Sequence, residues 1–152
     1  LHVGAATDVE RNERRMRIED AVSATRAAIN DGIVPGGGVA FIRAHTAIDN
    51  LALTDPDEIT GARIVAKALA APARQIAINA GHEPGVIVDR IARERGAVGF
   101  NAATGIFEDL TAAGVVDPAA VTRTALQSAA SIAALVLTTE CHITHLPPRQ
   151  HR

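Results

Sequence analysis

The sequence predicts a mainly α-helical chain with small β elements. Aromatic residues make up only 2% of it while alanine is abundant, so the core must form from small and aliphatic side chains in close helix contact. Apolar residues recur at helical spacing within segments bounded by glycine and proline. Only one stretch, residues 97–108, has the alternation and turn chemistry of a hairpin. With 47% hydrophobic and 21% charged residues, the 152 residues suffice for one core and argue against disorder.

Leu1, Val3 and Ala5 alternate like the end of a strand already under way, and the chain opens on leucine, so it is expected to be a fragment. Thr7-Asp8-Val9-Glu10 has the spacing of a capping box and predicts a long helix to about Asn30, with Gly32 at its end. That helix is dense in charge through Asp20. Ile18, Val22, Thr25 and Ile29 then form a stripe at helical spacing, which predicts entry into a core. Pro35-Gly36-Gly37-Gly38 breaks the chain before a second helix that starts at Val39-Ala40-Phe41-Ile42 and ends near Asn50.

Pro56 suits the first turn of a third helix with Ala62, Val65 and Leu69 on one face. It is expected to reach Gly81, kinked or interrupted at Pro72. A fourth helix follows Pro84 and stops at Gly96. Val98, Phe100, Ile106 and Phe107 flank the polar turn Asn101-Ala102-Ala103-Thr104-Gly105. Asp117-Pro118 reads as an N-cap and first-turn proline of a helix to about Thr139, apolar all round after Ala125 and therefore expected at the centre of the core. Cys141 to Thr144 is expected to be a last strand, and Pro147-Pro148 to end ordered structure.

A formal net charge of -2 gives no electrostatic footprint for nucleic acid or an anionic membrane, so neither is expected as a partner. The longest apolar stretch, Ala129 to Leu137, is far shorter than the roughly 20 residues a bilayer requires. One cysteine, Cys141, and no signal-peptide pattern suggest the cytoplasm. Lys67 is the only lysine and no G-x-x-x-x-G-K-[ST] sequence occurs, which excludes a phosphate-loop ATPase.

Four places can carry chemistry. The glycine run before a helix can present backbone N–H groups to an anionic ligand, or simply make a tight turn between packed helices. Asp20, with Ala24 and Ala27 following on its face, can bind Mg²⁺ or orient a water, or it can be a solvated carboxylate paired with Arg17. Asn101 can read a base edge and Asp117 can accept from ribose hydroxyls; equally, one forms a turn and the other caps a helix. His142, His145 and His151 could bind a metal, though their intervals suit no compact helical pair and a solvated tail explains them.

Arg17-Ile18-Glu19-Asp20-Ala21, Ala24-Thr25-Arg26-Ala27-Ala28, Pro35-Gly36-Gly37-Gly38-Val39-Ala40, Asn101-Ala102-Ala103-Thr104, Asp117-Pro118 and Thr138-Thr139-Glu140-Cys141 together resemble, in order and spacing, the landmarks of group I (GroEL-family) chaperonins. The resemblance runs from Val3 to about Pro147. It implies that residues 1–30 are the returning limb of the intermediate domain and residues 31–145 the C-terminal half of the equatorial domain, a helical bundle with a short β-hairpin. Residues 146–152 would be a flexible tail.

By the same resemblance Gly37 would lie against ATP, Asn101, Ala102 and Ala103 would line the base, and Asp117 would contact the ribose. Asp20 would be the carboxylate needed for hydrolysis and a contact for Mg²⁺, with K⁺ a further cofactor. The family assembles as a double seven-membered ring and meets unfolded clients and a co-chaperonin through its apical domain. Neither that domain nor the family's phosphate-gripping G-D-G-T-T-T loop occurs in this sequence, so the piece alone is not expected to be a chaperone. A structural or interaction fragment without enzymatic output is the competing expectation. A histidine-bearing tail stands in place of the family's Gly-Met-rich one.

Overall fold

A computed structural model describes residues 2–141 and 143–144. Helix accounts for 61% and strand for 10%, the mainly α class expected. In chain order the elements are α1 (Asp8–Asp31), β1 (Ile33–Pro35), α2 (Val39–Asp49), α3 (Pro56–Ala68), α4 (Ala71–Asn79), α5 (Pro84–Arg93), β2 (Val98–Asn101), β3 (Ile106–Asp109), β4 (Val116–Pro118) and α6 (Ala119–Thr138). They fall into two compact units, Leu1–Thr122 and Arg123–Arg152.

The first unit has its core where α2, α4, α5 and the β2–β3 hairpin meet. Val39, Ala73, Ala77, Ile87, Ile91, Phe100 and Leu110 form one buried cluster, and Leu69 is buried beyond it. Local chemistry explains the helix starts. Thr7 Oγ1 accepts from the Glu10 N–H at 3.2 Å, and Glu10 reaches back to the Ala6 N–H at 3.3 Å, one residue before the cap. Asp55 caps α3 and Glu83 caps α5, each followed by a first-turn proline. The segment from Pro56 breaks into α3 and α4 at Leu69–Ala70, and Pro72 stands in the first turn of α4, where its missing N–H is harmless.

Several expectations need correction. Residues 2–5 form no strand, and neither do Cys141, Ile143 and Thr144; His142 and the tail 146–152, with His145, His151 and Pro147-Pro148, lie outside the described residues. α1 buries no residue: Val22 is 38% and Ile29 78% exposed, and its half-buried positions are Glu10, Ile18 and the alanines 24, 27 and 28. The helix meets β4 near its C-terminal end, where the Ala119 N–H donates to the Gly32 carbonyl at 3.0 Å, and an alanine face is all that contact needs. Elsewhere it supports itself with pairs spaced for a helix surface, Arg14–Glu10 at 2.6 Å, Arg15–Glu19 at 3.0 Å and Arg17–Glu13.

Asp117 and Pro118 lie in β4, and α6 begins after them at Ala119. Their antiparallel partner is β1, in the register Ile33↔Pro118, Val34↔Asp117 and Pro35↔Val116. Long-range pairing therefore takes the two residues that local chemistry assigns to a helix start. α6, expected at the centre of the core, buries none of its side chains; Ile132 is 62%, Leu135 64%, Val136 65% and Leu137 83% exposed. Apolarity states a helix's need for cover and says nothing of which chain supplies it. Among the described residues α6 is also the one helix long and apolar enough to cross a membrane, by length and composition only, because its 20 residues average a hydropathy of 1.3 although the uninterrupted apolar run is short. The same composition suits a helix covered by protein.

Candidate functional site at the glycine turn

Gly36-Gly37-Gly38-Val39 is a tight turn in which the Val39 N–H donates to the Gly36 carbonyl at 3.1 Å. Its central residues have φ of 63° and 77°, the left-handed pair of a type I′ turn that glycine adopts without strain. A Cβ on Gly38 would lie 2.7 Å from the Ala73 nitrogen, so close packing of the turn on α4 also demands glycine there. α2 starts with no side-chain cap, and the N–H groups of Gly37 and Gly38 have no acceptor among the described residues. The turn explanation of the glycines is thus fulfilled, and donors are left over.

Two further segments meet this turn. The Gly36 N–H donates to the Val115 carbonyl at 3.0 Å, two residues before Asp117. A Cβ on Gly37 would lie 3.5 Å from the Phe100 carbonyl, next to Asn101. Asn101 is 9% exposed and its amide is committed to the turn: Oδ1 accepts from the Ala103 N–H at 3.0 Å and Nδ2 donates to Glu108 Oε1 at 2.7 Å. Its carbonyl accepts from the Gly105 N–H at 2.8 Å. Ala102 and Ala103 stand exposed at the tip. Phe100 anchors the hairpin beneath, with the His82 ring edge-on at 4.9 Å and Phe107 at 5.4 Å, over which Arg90 lies at 3.9 Å.

The Asp117 carboxyl is half-buried without a hydrogen-bond partner among the described residues, and burial pushes its pKa up. The segments that carry Gly37, Asn101 to Ala103 and Asp117 therefore adjoin one another. Asp20 does not reach them. It is exposed on α1, about 18 Å along the helix axis from Gly32 at the usual rise per residue. Arg17, its expected partner, pairs with Glu13, which leaves Asp20 unpaired among the described residues beside Glu13, Met16, Arg17 and Glu19. No three His, Cys, Asp or Glu side chains among the described residues stand together as a metal site.

Sequence reasoning missed Arg43. It is half-buried in α2 and donates to three carbonyls: Nη1 to Ile91 at 2.8 Å, Nε to Gly96 at 3.0 Å and Nη2 to Val98 at 3.2 Å. Burial lowers its pKa, and the nearby Glu94 partly offsets this. The signal was visible as a lone arginine in the otherwise apolar start of a helix, Val39-Ala40-Phe41-Ile42-Arg43.

A mainly helical unit in which a glycine turn, a short hairpin and a two-stranded β1–β4 pair adjoin defines the class of fold. A sequence model of the TCP-1/cpn60 chaperonin family matches residues 1–145, and the chain belongs to that family. A chaperonin-type role in protein folding comes with that membership.

Proposed function

We propose that the chain supplies the nucleoside side of an ATP site in a folding chaperonin of the group I type. The observation that carries this reading is the meeting, in a chaperonin-family chain, of unused turn N–H groups, an exposed small-residue tip and an unpartnered carboxylate. Gly37 offers its N–H at the uncapped start of α2, where the helix dipole favours an anionic ligand. Asn101, its amide already committed, holds the turn so that Ala102 and Ala103 present backbone and methyl groups to a base. Asp117 is partly desolvated and has no hydrogen-bond partner among the described residues, and ribose hydroxyls can donate to it.

Asp20 serves hydrolysis after rotation of α1 at Gly32, a joint with open space around its Cα. The residues described here do not by themselves form a Mg²⁺ or K⁺ shell, and Asp20 would be one ligand among groups from the rest of the subunit. Mg²⁺, when bound, neutralises phosphate charge. The phosphate grip, the apical domain for clients and co-chaperonin, and assembly as stacked seven-membered rings belong to the complete cytoplasmic subunit. The chain alone is not a competent chaperone. A second reading, an interaction fragment without enzymatic output, draws on the exposed apolar side chains of α6.

The test is ATP binding and phosphate release by the chain alone and combined with the N-terminal equatorial half of a chaperonin, with Asp20→Ala as control. Activity should appear only on combination. Asp20→Ala should keep binding and lose turnover, about a hundredfold or more if the carboxylate orients the attacking water. Hydrolysis by the chain alone would place the phosphate grip elsewhere and sink the split-site reading.

A further inference from the structure

Three successive contacts join the start of α2 to β2. Gly37 lies against the Phe100 carbonyl, Val39 is fully buried against Gly99, and Arg43, one helical turn on, donates to the Val98 carbonyl. A Cβ on Gly99 would come within 2.3 Å of Val39 Cγ2, so the middle contact is tight. The first two are steric, and they fix how closely the elements approach without specifying their orientation. Only the third is directional. A guanidinium is a planar fork of five N–H donors, and here it reaches the carbonyls of Ile91, Gly96 and Val98 at once.

The three acceptors come from different places. Ile91 is in the last turn of α5, where carbonyls lack helical partners; Gly96 is in the loop; Val98 opens β2. One side chain therefore fixes α2, the end of α5 and the start of the hairpin together. The glycine turn precedes α2 and the Asn101 turn closes β2, so the distance between those two turns is set through the same bonds.

We infer that Arg43 is the positioning residue that holds the glycine turn and the Asn101–Gly105 turn in register, an inference that rests on the nucleotide reading above for its bearing on ATP. Lysine cannot replace it, because a single ammonium does not span three carbonyls. Arg43 also lines a cavity of ≈ 450 Å³ with Ile42, Leu69, Arg74, Val88 and Ala92, and removal of its side chain would extend that space along the path the guanidinium now takes.

Amide hydrogen exchange on the full chain without nucleotide tests the role. Arg43→Met keeps the apolar stem and loses the fork. Exchange at the Val39, Ala103 and Gly105 amides should accelerate about tenfold, while Ala80 and His82 at the end of α4 keep their rates. In Arg43→Ala, millimolar ethylguanidinium should restore protection at the same three amides and ethylammonium should not. Uniform acceleration across the chain, no acceleration, or no difference between the two cations would overturn the inference.

In the combined ATP assay, Arg43→Met should raise the Kd for ATP about tenfold, and an unchanged Kd would also overturn it. If the wild type binds no ATP in that assay, the nucleotide reading fails, and the exchange comparison still decides whether Arg43 sets the register.

Discussion

The junction around the glycine turn and the two long helices solve the folding problem in opposite ways. At the junction, Val39, Ala73, Phe100 and Leu110 are at most 3% exposed, and glycines sit wherever a methyl group would collide. α1 and α6 are the longest helices, at 24 and 20 residues, and bury nothing. Yet α6 is one of the most apolar segments of the sequence. The difference teaches that burial here follows shape and long-range pairing more than hydrophobicity: small residues let backbones approach, and an apolar helix without cover remains a surface.

The strongest way to break this contrast is to place bulk in the junction. Gly38→Val would force a branched side chain into a left-handed conformation and against the Ala73 backbone at 2.7 Å, so it should cost at least about 3 kcal/mol, read as a lowered urea midpoint. A paired truncation sharpens the comparison next. Leu110→Ala should cost about 2–5 kcal/mol, whereas Leu135→Ala on α6 should stay within about 0.5 kcal/mol for a solvated helix. Equal costs would mean that α6 is covered in solution, and sedimentation at several concentrations would then reveal self-association.

The smallest effect concerns Asp117. Burial raises its folded pKa above the ordinary carboxylate value, so the fold binds this proton more tightly than the unfolded chain does. The resulting stability is fully present below the unfolded value and is lost as pH rises through the folded one. Asp117→Asn lacks that loss. At pH 7 the variant should be modestly more stable than the parent, with the gap closing below about pH 4, as measured by urea unfolding across pH. A gap that persists at acid pH would assign the effect to something other than ionisation.

Local chemistry was legible in the sequence wherever neighbours decide the outcome. The Thr7 cap, the interruption at Pro72 and the turn after Asn101 depend on residues within a few positions of one another. The β1–β4 pair was not legible, because each strand has three residues, each includes a proline, and the partners are far apart in the chain. The exposure of α6 was hidden for a different reason: an all-round apolar helix looks the same whether its cover is its own chain or another. Of the candidate site, Gly37, Asn101, Ala102, Ala103 and Asp117 were named from the sequence, and their segments adjoin through Gly36–Val115 and Gly37–Phe100, whereas Asp20 stands apart. Arg43 was overlooked, since its partners are main-chain carbonyls that no side-chain pattern announces.

The ion-paired surface of α1 has a mechanical consequence. At 24 residues the helix is about 36 Å long, and its side-chain pairs keep it stiff without reference to the core. Gly32, with φ 81° and open space where a side chain would stand, joins this rod to β1. A rod on such a fulcrum multiplies motion: roughly 20° of rotation there would carry Asp20 about 6 Å, given the usual helical rise. That travel would open the half-buried alanine contact with β4 but would draw no fully buried side chain out of the core, so a small angular cue at the far end can be delivered as a displacement of atomic-contact size.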